Sequence, residues 1–140
     1  MARDNKWLEE KLDFLWRRYF GDIEQINPVR IVFGRFAKFR FGSISFKKTG
    51  WKKGNTTIRI TGLFSDPRIP EEVVEYTICH ELCHYAHGFS SPHPKLHKFP
   101  HEGGVVRQEM ERRGLRDLLL SYKVWVRDYR EKLYKERGWR

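Results

Sequence analysis

Residues 69–88 read IPEEVVEYTICHELCHYAHG, and what this stretch becomes decides the fold. Pro70 stands at a first helical position, and Glu71 and Glu72 fall in the first turn, where their charge complements the amino-terminal end of the helix dipole. Val73, Val74, Ile78 and Leu82 supply an apolar face and Gly88 ends the run, so a helix is predicted. On that helix His80 and His84 are one turn apart, with rings projecting from one face about 6 Å from each other. Two imidazole nitrogens can then meet on one cation, and neutral imidazole suits zinc. Glu81 points about 100° away from His80 around the helix. It is poorly placed as a ligand, but it can reach a water held on the ion and take its proton.

A catalytic zinc needs a third protein ligand and an open fourth position. The pattern HExxHxxGxxH would require glycine at position 87 and histidine at 90, but the chain has His87 and Ser90. His87 follows His84 too closely and is expected beside the ligands or at the surface. His101 is the favoured third ligand, because PHEGGVVRQEM (residues 100–110) sets it just ahead of a helix that can hold its ring. His93 and His97, in a proline-rich loop, stand as alternatives. So does Glu109 on the following helix, with Glu102 behind it. Tyr85, His87, His93, His97 and Arg107 are candidates to steady an oxyanion. Cys79 and Cys83 flank the ligand positions and are expected to be small core residues rather than further ligands.

Outward from this helix, Asp4 can cap a helix carrying Trp7, Leu8, Leu12, Leu15, Trp16 and Tyr19. VRIVFG (29–34), FRFGSISF (39–46) and TTIRITGLF (56–64) are predicted strands of an antiparallel or mixed sheet, with KKTGWKKGN (47–55) a loop. Residues 89–104 carry three prolines and read as an irregular loop, 105–114 as a short helix, and 115–139 as a long amphipathic helix. With 140 residues and no repeat, linker or low-complexity tract, the chain is expected to be one α+β domain spanning 1–140: a small sheet packed on the histidine helix, with helices at both ends.

The net charge is +10, and residues 25–65 contain no acidic residue. Arg30, Arg35, Lys38, Arg40, Lys47, Lys48, Lys52, Lys53 and Arg59 all lie in that segment. A one-signed stretch of this kind attracts polyanions, so DNA or a nucleoprotein is a candidate partner, with Lys47, Lys48, Lys52 and Lys53 as contacts and Trp51 as a stacking residue. No apolar run approaches the roughly 20 residues of a membrane span, and the start, MARDNKW, lacks the apolar core of a secretory signal. No membrane partner is expected. The two cysteines share one helix turn and cannot staple distant parts of the fold, so the reducing cytoplasm is the expected compartment.

FRFGSISF, TTIRITGLF, IPEEVVEYTICHELCHYAHG and PHEGGVVRQEMERRG, in that order, resemble a SprT-like zinc metalloprotease domain of the Spartan type. The resemblance covers about residues 29–113, with Gly42, Ser43, Ile58, Arg59, Ile60, Pro70, Glu72, Val73, Tyr76 and His101 at matching positions. It implies a zincin-like fold with His80, His84 and His101 as zinc ligands and Glu81 as the general base. It also implies that the strand containing Gly42, Ser43 and Ile44 forms the upper edge of the cleft, to which an extended substrate adds, with Gly42 letting the backbones approach. The implied activity is hydrolysis of peptide bonds, in Spartan-type members in proteins attached to DNA. Residues 115–140 depart from the family in offering neither a zinc ribbon nor a further cysteine. A basic nucleic-acid-binding module with a structural or vestigial metal site is the competing reading.

Overall fold

The computed structural model describes residues 2–48 and 54–137. Trp51, Lys52 and Lys53 lie outside the described residues. Asp4 caps the first helix, α1 (Asn5–Tyr19), its carboxylate accepting from the Trp7 N–H at 2.9 Å. Three strands follow, β1 (Val29–Phe33), β2 (Gly42–Lys47) and β3 (Asn55–Ile60), then α2 (Glu71–Ala86), α3 (Val105–Arg112) and α4 (Arg116–Glu136). The sheet order is β1-β3-β2, with β1 parallel and β2 antiparallel to β3, which makes it the mixed sheet.

Two predicted strands are shorter than their apolar patterns. The second begins at Gly42 rather than at 39, and the third ends at Ile60. Thr61 ends it: its hydroxyl accepts from the Leu63 N–H and donates to the Ala37 carbonyl, starting a 3-10 turn over Gly62–Ser65. Pro70 caps α2 from outside, with extended ψ, instead of opening it.

In β3, Thr56, Ile58 and Ile60 face inward and are buried, while Asn55 and Arg59 are exposed, so among the described residues one side of the sheet carries the core. α2 lies under that side. Eleven of its sixteen residues are buried, as expected of a helix with neighbours on nearly every side. α1 packs along β1 through Leu8, Leu12, Leu15 and Trp16, and Lys11 bridges to Glu71 and Glu75 at the start of α2. α4 lies against α2 on another side, bringing Tyr122, Trp125 and Tyr129 around Phe41 and Phe64. Both cysteines are free and fully buried, and burial pushes both thiols well above their usual pKa, so they act as small apolar residues. No helix among the described residues is long and apolar enough to cross a membrane.

Candidate metal centre

One turn of α2 carries His80 to His84, with ring centroids 4.8 Å apart and rings nearly perpendicular. His101 reaches them from a loop that two glycine features fold back. Gly88, at φ +83°, lies where a side chain would collide with the Pro94 carbonyl, so the chain can double back on the end of α2. Gly103 and Gly104, at φ +55° and +71°, then make the left-handed turn from His101 into α3.

The outcome is three Nε2 atoms at a common point: 3.2 Å between His80 and His84, 3.1 Å between His80 and His101, and 3.0 Å between His84 and His101. Two nitrogens on a tetrahedral ion with bonds of about 2.0–2.1 Å lie about 3.3–3.4 Å apart, so the spacing fits a small divalent cation. The three histidines are close enough to bind a metal ion. Burial, then the neighbouring imidazoles, pushes His84 down to about 3, and burial and His101 push His80 down to about 4. Both rings are therefore neutral near pH 7, the form in which imidazole ligates. The Nδ1 atom of His84 has no hydrogen-bond partner among the described residues, so that ring is held by packing.

Glu81 projects beside the triad, 5% exposed, towards the start of β2. Burial pushes its carboxyl up to about 7, against the pull of the Arg40 guanidinium. A Cβ built on Gly42 would come within 3.0 Å of Glu81 Oε2 and 2.7 Å of Thr77 Cγ2. The missing side chain at position 42 thus makes room for the glutamate itself.

Among the described residues the alternative ligands lie outside the histidine cluster. His93 donates from Nε2 to the Glu24 carbonyl at 2.6 Å. His97 packs edge-on against His87. Glu102 accepts from the Lys98 N–H at 2.6 Å. Glu109 is buried and accepts from His87 Nε2 (2.8 Å), Arg113 Nε (2.8 Å) and Arg112. Burial alone would raise its pKa, but the hydrogen bonds from His87 and Arg112 outweigh burial and keep it below the ordinary value. Arg113 continues the chain of contacts to Asp22 and the Tyr19 carbonyl. Glu109 therefore clamps α3 to the end of α2, which steadies the segment carrying His101. His101→Ala is expected to lose bound metal, whereas Glu109→Gln keeps one equivalent; elemental analysis of the purified variants checks this, and the reverse pattern would overturn the assignment.

None of the oxyanion candidates lines the cavity beside Glu81, and His97 lies against His87. Tyr85 donates to Asn27 Oδ1 at 2.6 Å inside the core, His87 and His93 are bonded as above, and Arg107 is exposed on α3. Residues not singled out as cleft groups do line it: Tyr76, Tyr122, Phe39 and Arg40. Tyr76 was legible, being one turn before His80 on the same face; Tyr122 arrives from α4 with no local signal. A larger groove of about 680 Å³, between α1 and the outer edge of β1, touches none of the histidines and is separate from this centre.

The open edge of the sheet beside the centre is β2. Thr61 N donates to Phe41 O at 2.8 Å, so in the antiparallel alternation Ser43 bonds inward to Arg59 while the peptide groups of Gly42 and Ile44 turn outward. The Ser90 hydroxyl donates to the Ile44 carbonyl at 3.3 Å, closing the far end of that edge. Lys47 and Lys48 are exposed at the end of the same strand.

No family model, no curated protein and no solved structure matches the chain.

Proposed function

We propose that this protein is a zinc-dependent endopeptidase with a SprT-like, zincin-like domain, and that it acts on extended or unfolded protein segments. The observation that carries the reading is the meeting of three Nε2 atoms within 3.2 Å, beside a glutamate that is 5% exposed. Three imidazoles leave a coordination position open, and zinc is the ion that this ligand set suits best. When bound, zinc supplies a Lewis acid and lowers the pKa of a water to about 7. Glu81, itself near that value, takes the proton of the attacking water and returns one to the leaving amine. Gly42 offers its outward N–H and carbonyl to a substrate strand and Ile44 its N–H, the Ile44 carbonyl being held by Ser90, with Ser43 bonding β2 to the sheet between them.

The exposed cations Arg35, Lys38, Arg40, Lys47 and Lys48 support DNA-associated proteins as substrates. Phe36 and Phe39, 62% and 56% exposed among them, could stack on bases. The same surface favours the second reading, a nucleic-acid-binding module whose metal site is structural or vestigial. Free, buried thiols suit a cytoplasmic setting.

Metal removal separates the two. Protein stripped by chelation is expected to stop cutting an unfolded casein-like chain, and one equivalent of zinc to restore cutting, followed by gel and mass spectrometry. Zinc retained at one per chain with no cleavage of any unfolded protein, together with DNA affinity that falls steeply with salt, would leave only the binding module.

A further inference from the structure

Beside Glu81 and His80 a cavity of about 210 Å³ opens between the start of β2 and α4. That is below the roughly 300 Å³ of small-molecule sites, and room for one side chain rather than a cofactor. One wall is the stacked pair Tyr76 and Tyr122, ring centroids 4.1 Å apart and 17° from parallel, with Phe41 edge-on to Tyr122. Phe39 and Arg40 form the rim, both exposed. Gly42 lines it beside Thr77 and Glu81, with its peptide group turned to the open edge. A substrate strand pairing with that edge points alternate side chains towards the protein, one of them into this cavity.

Resting on the peptidase reading above, the geometry points to this cavity as the subsite that selects one residue next to the scissile bond, for an aromatic or large aliphatic side chain and against lysine and arginine. Aromatic walls favour ring contacts, edge-to-face or offset, with an entering aromatic group. Among the described residues the only carboxylate lining the cavity is Glu81, which the peptidase reading assigns to the attacking water. An entering cation would therefore face Arg40 at the rim with no counter-charge of its own.

Two readouts test this. Mass spectrometry of an unfolded protein digested by the zinc-loaded full chain is expected to show aromatic and large aliphatic residues at one position beside the cut, about 10-fold over lysine and arginine. In zinc-loaded Glu81→Gln protein, two otherwise identical peptides with phenylalanine or lysine at that position are expected to differ about 10-fold in dissociation constant. Adding Tyr122→Ala should bring them within about twofold, and adding Arg40→Glu should favour the lysine peptide. Arg40 is exposed, so its variant decides the matter if loss of Tyr122 prevents folding. Cleavage with a flat profile, or equal binding of both peptides, overturns the subsite and leaves the peptidase reading standing. Absence of any cleavage by the wild-type chain defeats that reading and the subsite with it.

Discussion

Glu81→Gln is expected to lower hydrolysis of an unfolded protein by about 10²–10⁴, the range for losing a positioned general base, while zinc content stays at one per chain. The same change is expected to stabilise the metal-free protein. The Glu81 carboxyl is lifted by burial from 4.5 to about 7 in the folded state. Between those values the folded chain keeps a proton that the unfolded chain has released, so the contribution of Glu81 to stability is full below pH 4.5 and is lost as pH rises through 7. The gap corresponds to roughly 3 kcal/mol against folding at pH 8. A neutral amide does not carry this cost. His80 and His84, with depressed pKa values, weaken the folded state in the opposite direction as pH falls below 6.5, but they do so in both proteins and cancel in the comparison. The melting temperature of the metal-free variant should therefore exceed that of wild type by roughly 10 °C at pH 8 and match it near pH 4.5. Equal melting curves at both pH values would show that Glu81 is not held in a desolvated site, and a variant that still cuts would remove it as the base.

The histidine helix was legible because its signals are local: one-turn spacing puts His80 and His84 on a single face whatever surrounds them. His101 was favoured because a helix follows it directly, but local sequence left His93, His97 and Glu109 open, and it is the fold that brings His101 to the other two. α1 follows from apolar periodicity and its Asp4 cap, and α3 and α4 from periodicity without a side-chain cap. The predicted strand over residues 56–64 ran past its true end because its apolar pattern continues through Leu63 and Phe64, while the Thr61 bonds that stop it come from Ala37, far away in the chain. That β1 runs parallel to β3 was equally out of reach, because pairing partners are set by tertiary contacts rather than local propensity. Glu109 has the chemistry of a ligand. Only the positions of His87 and Arg113 reveal it as a clamp, and those depend on how α3 docks.

Gly42→Ala is the sharpest probe of how the sheet and the helix cooperate at the centre. A methyl group there would stand 2.7 Å from Thr77 Cγ2 and 3.0 Å from Glu81 Oε2, so β2 must shift or both side chains must move. Overpacking of this kind costs about 1–3 kcal/mol, and displacing a reacting group by about 1 Å can cost 10²-fold in rate. The two effects come from different neighbours and can be separated. Thr77→Ser removes the closer contact and keeps the hydroxyl that donates to the Val73 carbonyl at 2.9 Å. The Gly42→Ala/Thr77→Ser pair is therefore expected to recover most of the lost stability in thermal melts, while its kcat for an unfolded protein stays about 10²-fold low, because the methyl still presses on the carboxylate. Zinc content should be unchanged in both, since no histidine is touched. Activity returning together with stability would mean that Glu81 tolerates the displacement, and that the absent side chain at position 42 serves packing against Thr77 alone.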